Sequence, residues 1–418
     1  MGTIHERTVF LQDAERFSRA PAFNVMVKPI GSSCNLNCAY CYYLDKSRLH
    51  DGHAEVMSDA ILERVIRDAI ASNGADEITF EWHGGEPLLA GIDFFRKAVA
   101  LQARYADGRR IHNTLQTNGT LLTQQWADFL KEADFLVGIS VDGPEDVHDR
   151  YRRDKGGRAS FDRVMSGLGH LRRAEVPFNT MTAVSRAGEG RGADVYRFLK
   201  SAGSRHMQFM PVLEYVKPSD RPGGSMIVSP AEKDSVRAPW SVSSEGFGKF
   251  MCDIFDVWIK SDVGECFVSL FDATLANMCG LSPGICAYDD HCGCNPVIES
   301  NGIVYPCDHF VYRGNSIGNV CSGSLKDMVG SGAQRRFGMA KRGSLPSRCL
   351  NCEYLSLCHG ECPKHRFDVG PDGEPGLNSL CEGYEMFFRH TEPYFRKMKH
   401  LLELSLPPSL VMASKEKK

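Results

Sequence analysis

The chain has 418 residues, 16 of them cysteine, and its 49 basic and 52 acidic side chains give a formal net charge of −3. This near balance gives no basis for a nucleic-acid or anionic-membrane surface. No apolar run reaches transmembrane length and no signal-peptide pattern is present, so we expect a cytoplasmic protein that spans no membrane. In that compartment, so many cysteines indicate metal or redox chemistry rather than structural disulfides.

Apolar segments alternate with amphipathic ones from residue 23 to about 213, after a polar lead-in over 1–22. Ser58, Thr123 and Ser160 occupy positions where helix N-caps are expected. Six strand–helix units predict parallel strands with right-handed crossovers, an α/β fold of the partial (β/α)6 barrel type. The predicted strands are Phe23–Ile30, Glu77–Trp82, Ile111–Thr117, Phe135–Val141, Phe178–Val184 and His206–Val212, with helices near 58–73, 92–106, 123–132, 160–174 and 192–202.

Composition also indicates where domains begin and end. Residues 214–242 are rich in Pro, Gly, Ser and mixed charge, which predicts a long loop. We expect the barrel over 23–240, connecting helices over 241–278, a small cysteine-rich domain over 279–385, and a C-terminal helix and tail over 386–418.

The loop after the first predicted strand carries Cys34, Cys38 and Cys41 at a C-x3-C-x2-C spacing. Three thiolates can hold three corners of a [4Fe–4S] cluster and leave the fourth iron open to a cofactor. A zinc knuckle or three unrelated buried cysteines are the alternatives. Zinc usually takes four ligands, and the nearest further candidates are His50 and His53 on a polar segment, so the spacing favours the cluster.

This loop resembles the radical S-adenosylmethionine (SAM) superfamily, as do Gly84-Gly85-Glu86-Pro87 after the second strand and Gln116-Thr117-Asn118-Gly119 after the third. The resemblance implies that the open iron chelates SAM and that one electron cleaves SAM to a 5′-deoxyadenosyl radical. It places the SAM site at the carboxyl ends of the strands, where barrels of this kind carry function. The residues implied at that site are Tyr40, Gly84, Gly85, Glu86, Ser140, Asp142, Arg152 and Leu213.

Ordinary structural roles stay open for several of these residues. The glycine pair could be a simple turn, and Ser140 and Asp142 could belong to a turn with an Asx cap. Arg152 lies in a charged run typical of a solvated face, and Leu213 fits barrel core equally well.

Eleven cysteines lie beyond residue 278, around a β-hairpin predicted by Asn301-Gly302. The arrangement resembles the SPASM domain, which implies two auxiliary [4Fe–4S] clusters, each closed by four cysteines; one or two structural zinc sites are the alternative. By position the first cluster takes Cys286, Cys292, Cys307 and Cys362, and the second takes Cys349, Cys352, Cys358 and Cys381. Cys294 could exchange with Cys292, and otherwise ordinary buried thiols are expected at Cys252, Cys266, Cys279, Cys294 and Cys321.

Several segments resemble the anaerobic sulfatase-maturating enzymes, among them Tyr305-Pro306-Cys307-Asp308 and Gly360-Glu361-Cys362-Pro363-Lys364. The resemblance implies oxygen-independent oxidation of Cys or Ser in a Cys/Ser-x-Pro-x-Arg segment to Cα-formylglycine. It implies SAM and three [4Fe–4S] clusters as cofactors, an unfolded sulfatase polypeptide as substrate, and an electron donor such as flavodoxin or ferredoxin.

The resemblance also assigns residues to the substrate. Asp308 matches the catalytic aspartate, a general base, although a carboxylate that orients the cluster loop is the alternative. Tyr43 is implied on the substrate side, with loop packing as its alternative. His83 stands where many members carry Gln, which affects substrate preference if that residue touches the peptide. A peptide-crosslinking SPASM enzyme and an iron–sulfur or zinc scaffold are the remaining functional alternatives.

Overall fold

The computed structural model describes residues 22–44, 46, 56–219, 225–229 and 232–413. The predicted lead-in up to residue 21, His50 and His53, parts of the predicted 214–242 loop and the last five residues lie outside this described part.

The described strands follow the predicted order closely. Strands two to six begin and end within about two residues of their predicted bounds, whereas the first is shorter because turns begin at once after Val27. The strands are β1 Val25–Val27, β2 Glu77–Trp82, β3 Arg110–Thr117, β4 Phe135–Ser140, β5 Phe178–Val184, β6 His206–Pro211, β7 Tyr215–Pro218, β8 Ser225–Val228, β9 Val236–Arg237, β10 Phe267–Val268, β11 Val297–Ile298, β12 Ile303–Tyr305, β13 Gly318–Asn319, β14 Asp368–Val369 and β15 Pro375–Leu377.

Helices fill the predicted positions between the barrel strands. Ser58 and Thr123 accept hydrogen bonds from the amides of Ile61 and Trp126, as N-caps do. The helices are α1 Asp59–Ser72, α2 Ile92–Tyr105, α3 Gln124–Glu132, α4 Glu145–His148, α5 Phe161–Arg173, α6 Gly192–Ser201, α7 Ser244–Ser261, α8 Ser269–Met278, α9 Leu325–Val329, α10 Gly332–Gly343, α11 Ser347–Leu350, α12 Leu355–Cys358 and α13 Cys381–Glu403.

Ser160 occupies the N-cap position of α5, as predicted, but its side chain makes no capping hydrogen bond; its hydroxyl donates to the carbonyl of Arg152 at 2.7 Å instead. One prediction about local structure was wrong. The segment predicted as a long loop over 214–242 contains the antiparallel sheet β8-β7-β9. These strands are only two to four residues long and are bordered by Pro and Gly, which concealed their alternation.

Ten of the described strands form one sheet in the order β10-β6-β5-β4-β3-β2-β1-β11-β12-β13. Strands β1 to β6 and β10 are parallel, as a partial barrel requires. The predicted hairpin is confirmed as β11–β12, and β11 continues the sheet by pairing with β1 in parallel, Met26 opposite Val297. The cysteine-rich region is therefore joined to the barrel by backbone hydrogen bonds. Among the described helices, none has the length and apolar character that a membrane crossing requires.

The long helices α7 and α13 pack against each other and close one side of the molecule. Phe247 and Phe255 of α7 contact the rings of Tyr384 and Phe387 of α13, within the same buried cluster that fills the barrel. The two helices are in contact where Gly248 of α7 lies against Gly383 of α13. A Cβ built on Gly383 would lie 2.1 Å from the Ser244 carbonyl oxygen. This contact fixes the start of α13, the helix that begins with Cys381.

Gly383→Ala is expected to lower the free energy of unfolding by about 1–3 kcal/mol, because the added methyl group must push two helices apart. Urea unfolding of the reconstituted protein measures this. Gly343→Ala in α10 is the matched control, since a methyl group added there would have no neighbouring atom within 4 Å. Equal stability of the two variants would contradict the close helix contact.

Candidate functional site

The loop that carries Cys34, Cys38 and Cys41 leaves β1 and folds against the segment that follows α4. The amides of Asn37 and Ala39 donate to the carbonyls of Arg153 and Tyr151 at 2.7 and 3.1 Å. These bonds fix the loop between the ends of β1 and β4, where the parallel strands present their carboxyl ends.

The three thiols of this loop are half-buried and close enough to interact electrostatically. Burial raises the pKa of Cys34 to about 12, with a further contribution from the carboxylate of Glu86. Burial also raises the pKa of Cys38 and Cys41, although Arg152 lowers both. Thiols of this kind give up their protons when iron binds them. Three of them on one short loop fit a cluster with an open iron.

The Gly84-Gly85-Glu86 segment lies directly against the cysteine loop. A Cβ on Gly85 would lie 2.0 Å from the Ser33 carbonyl oxygen, so glycine is required by the approach of the loop. The buried Glu86 carboxylate accepts from the Asn118 amide and the Thr117 hydroxyl, both at 2.8 Å. Burial raises the pKa of Glu86 to about 7, although these donors lower it. Its carboxylate therefore links the ends of β2 and β3.

Asp142 is the centre of a second buried group, after β4. Its carboxylate accepts from the Tyr40 hydroxyl, from Arg152 Nε at 2.9 Å and from the Ala183 amide at 2.9 Å. The Ser140 hydroxyl lies at the same strand end and accepts from the side-chain amide of Gln116 at 3.0 Å. The structure thus brings four predicted residues, Tyr40, Ser140, Asp142 and Arg152, to one side of the cysteine loop.

Leu213 lies just beyond the end of β6 and is 2% exposed. It is not part of the hydrophobic clusters that fill the barrel and the small domain. Burial outside the core is compatible with a wall of a ligand cavity.

Asp308 follows β12 and reaches across to the barrel. Its carboxylate accepts from Lys28 Nζ, at the end of β1, and from the hydroxyl of Tyr42 in the cysteine loop. Burial alone would raise the pKa of Asp308, but the charge and the hydrogen bond of Lys28 lower it. The group is held as a carboxylate between the two cysteine-bearing regions.

Two histidines border this carboxylate. Burial lowers the pKa of His83 to about 4 and that of His309 to about 3, so both are neutral near pH 7. His83 Nδ1 accepts from the Gly84 amide at 2.7 Å, and the His309 ring lies edge-on to Tyr42. With neutral histidines, Lys28 supplies the positive charge that Asp308 meets directly.

Tyr43 lies beside this group but faces away from Asp308. Its hydroxyl donates to Glu299, and Lys28 Nζ lies 3.4 Å from its ring centroid. Tyr42, its neighbour, is the tyrosine that reaches Asp308.

The structure places the cysteines of the two predicted auxiliary sets in different neighbourhoods. Electrostatic interactions connect Cys307 with Cys286 and Cys292, and Cys362 with Cys307 and Cys286. The cysteines of the second set line one cavity together: Cys349, Cys352, Cys358 and Cys381. Thiols gathered in fours fit closed clusters.

The five cysteines assigned to no cluster differ in solvent exposure more than predicted. Cys266 is buried, whereas Cys252, Cys279 and Cys294 are half-buried and Cys321 is exposed, so the prediction of buried thiols was wrong for Cys321. Cys321 lies in a turn directly after the short strand β13, where no packed layer covers it. Burial raises the pKa of Cys294 to about 12, and no other thiol contributes to this shift. The pKa of Cys292, in contrast, is also raised by the neighbouring thiol of Cys286.

Comparison with known proteins agrees with this geometry. The chain matches the radical SAM superfamily over residues 29–199 and an iron–sulfur cluster-binding domain, SPASM, over 292–353. It is 45% identical to a serine-type anaerobic sulfatase-maturating enzyme of Bacteroides thetaiotaomicron, over 94% of this chain and 95% of that protein. The chain belongs to the anaerobic sulfatase-maturating enzymes. It is a radical SAM oxidoreductase, with SAM and iron–sulfur clusters as its cofactors.

Other anaerobic sulfatase-maturating enzymes are similar along most of their length. A serine-type enzyme of Klebsiella pneumoniae is 37% identical over 90% of this chain and 88% of its own. A cysteine-type enzyme of Clostridium perfringens is 30% identical over 89% of this chain and 97% of its own. The solved structure of native anSMEcpe with bound AdoMet and the Cp18Cys peptide has a TM-score of 0.79 at 29% identity, over 91% of this chain and 100% of that one.

Sequence reasoning missed two residues that complete the Asp308 group in this sulfatase-maturating enzyme. Lys28 is fully buried. Its place next to an apolar strand was a signal in the sequence, because a buried ammonium requires a partner of opposite charge. The sequence could not show which of the adjacent Tyr42 and Tyr43 reaches Asp308, because side-chain directions on an irregular loop follow no regular repeat.

Asp142→Asn is expected to lower the free energy of unfolding by about 3–5 kcal/mol, because it leaves the buried Arg152 guanidinium without its counter-charge. Denaturant unfolding measures the change. Asp146→Asn, which breaks a pair between the exposed side chains of Asp146 and Arg191, should change it by less than about 1 kcal/mol. Equal effects would contradict the structural importance of the Asp142 group.

Proposed function

We propose that this enzyme oxidises a serine or cysteine in a Ser/Cys-x-Pro-x-Arg segment of an unfolded sulfatase to Cα-formylglycine without oxygen. The observation that carries the proposal is the half-buried Asp308 carboxylate, held between the cysteine loop of the barrel and the SPASM hairpin. Serine is the proposed preferred target, because the serine-type relatives are more similar to this chain than the cysteine-type ones.

The proposed cofactor set is SAM with three [4Fe–4S] clusters. Cys34, Cys38 and Cys41 would hold the SAM-binding cluster, and the two auxiliary sets would each hold a closed one. When bound, SAM and its cluster supply the radical that removes hydrogen from the substrate Cβ, and the auxiliary clusters accept an electron. The proposal includes an electron donor such as flavodoxin or ferredoxin and a cytoplasmic location.

We assign the SAM contacts to the strand ends beside the cysteine loop. Gly84 and Gly85 would present backbone groups, Ser140 and Asp142 polar oxygens, and Leu213 an apolar wall. Tyr40 and Arg152 would act next to Asp142, to which both donate. Glu86 would act through the backbone it holds, since its carboxylate is occupied by protein donors.

Asp308 is the proposed general base, which takes the proton from the substrate hydroxyl or thiol as the carbon centre is oxidised. Lys28 keeps it ionised and Tyr42 fixes the direction of its second oxygen. His83, which borders Asp308, and Tyr43, whose ring packs against Lys28, are proposed substrate contacts. The proposed units are the barrel over 23–240, connecting helices over 241–278 and the auxiliary-cluster domain over 279–385, before the C-terminal segment over 386–418.

Mass spectrometry of peptides tests this function directly. The reconstituted enzyme, under anaerobic conditions with SAM and dithionite, should lower the mass of a Ser-x-Pro-x-Arg peptide by about 2 units and that of the cysteine peptide by about 18. Deoxyadenosine should form in equal amount, with faster turnover of the serine peptide. Deoxyadenosine without a changed peptide would overturn formylglycine formation and favour a peptide-crosslinking enzyme.

Asp308→Asn is expected to reduce formylglycine yield by about 10²-fold, because the amide cannot accept the substrate proton. Deoxyadenosine release should stay close to wild type, since the SAM site is formed by other residues. Asp327→Asn, an exposed carboxylate in α9, is the matched control. An unchanged product yield in Asp308→Asn would remove this residue as the base.

A further inference from the structure

A short segment joins the two proposed auxiliary clusters. Cys358, assigned to the second cluster, and Cys362, assigned to the first, are separated by three residues. All three have left-handed backbone angles, with φ of 48° at His359, 70° at Gly360 and 52° at Glu361. Residues other than glycine rarely adopt this conformation, so neighbouring contacts must hold the segment in place.

Arg366 makes those contacts. Its Nε donates to the Gly360 carbonyl at 2.8 Å, and its Nη2 donates to the carbonyls of His359 at 2.8 Å and Glu361 at 2.9 Å. Its Nη1 donates to the Lys341 carbonyl in α10. A planar guanidinium can meet several carbonyls at once, which the single ammonium of lysine cannot do with the same geometry.

The charge of Arg366 reaches both ligand sets. Its side chain is largely buried; its charge interacts first with the Glu361 carboxylate and then with the thiols of Cys349 and Cys358 in the second set and Cys362 in the first. The buried ammonium of Lys341 behaves differently. It donates to the Cys286 carbonyl at 2.5 Å and interacts with Cys292, Cys286 and Cys362, all of the first set.

We propose that Arg366 is a positioning residue that sets the reduction potentials of both auxiliary clusters together, through one buried charge shared between them. The proposal rests on the ligand assignment proposed above. Reduction makes a cluster more negative, so a nearby positive charge in a medium of low dielectric constant favours the reduced form. The hydrogen bonds to residues 359–361 keep that charge at a fixed place between the two clusters.

The test is an anaerobic redox titration of the reconstituted full-length protein, followed by electron paramagnetic resonance. Cys34, Cys38 and Cys41 are replaced by alanine in all samples, so that the signals come from the auxiliary clusters alone. Iron is counted first, and about eight atoms per chain are expected for two clusters. A background protein that binds no iron would overturn the ligand assignment and this inference with it.

Arg366→Gln should shift both midpoint potentials in the negative direction, each on the order of a tenfold change in the reduced-to-oxidised ratio, or about 59 mV for one electron. Arg366→Lys keeps the charge but not the carbonyl contacts that fix its place, so both potentials should lie between those of Arg366→Gln and those of the unchanged protein. Lys341→Gln is the matched control and should shift one potential only. A shift of a single potential in Arg366→Gln, an equal shift in Arg366→Lys, or loss of iron in either variant would overturn the inference.

Discussion

The parallel pairing of β1 with β11 is the constraint on which the rest of the site depends. β1 bonds to β2 on one side and to β11 on the other, with amide-to-carbonyl bonds from Met26 to Pro296 at 3.0 Å and from Lys28 to Ile298 at 2.9 Å. The strand that leads into the cysteine loop is therefore also the strand that anchors the cysteine-rich domain. Lys28 can reach Asp308 only because the two regions share this sheet.

Buried charge pairs complete the junction that the sheet begins. Lys28 with Asp308 and Lys364 with Glu214 at 2.5 Å cross the junction, while Arg152 with Asp142 lies within the barrel; all three pairs are mostly shielded from water. Such pairs add little net stability, because removing both charges from water costs about as much as their attraction returns. Their effect is on geometry, since a buried charge strongly disfavours any arrangement that separates it from its partner. The charge pairs therefore hold the side chains of the site in one arrangement on the framework that the β1–β11 pairing supplies.

The sequence predicts the parts of this fold that follow a local period. Strands such as Glu77–Trp82 and Phe178–Val184 lie where apolar alternation predicted them, and the Asn301-Gly302 hairpin follows from its turn residues. Features that depend on tertiary contacts could not be predicted in this way. Ser160 stands at the N-cap of α5 as predicted, but its hydroxyl donates to the Arg152 carbonyl and not to the helix. The strands β7 to β9 were too short to stand out from the surrounding Pro and Gly residues.

In the candidate site, sequence similarity identified residue types in motifs but not side-chain directions. Asp308 followed from its place next to Cys307, whereas its partners Lys28 and Tyr42 are 280 and 266 residues away along the chain. No local pattern relates residues at that separation. Likewise, nothing in the sequence distinguishes Arg366 from an ordinary surface arginine. Its role becomes visible only from the four carbonyls to which it donates in the structure.

The shared sheet also limits how a protein substrate can reach Asp308. A hinge opening between barrel and cysteine-rich domain would have to break the backbone bonds of β1 with β11, so the two regions move as one unit. On the function proposed above, the target segment would reach Asp308 as an extended chain, because no hinge opens to admit a folded domain. Modification would then compete kinetically with folding of the substrate, so the target segment would have to arrive before the sulfatase folds around it.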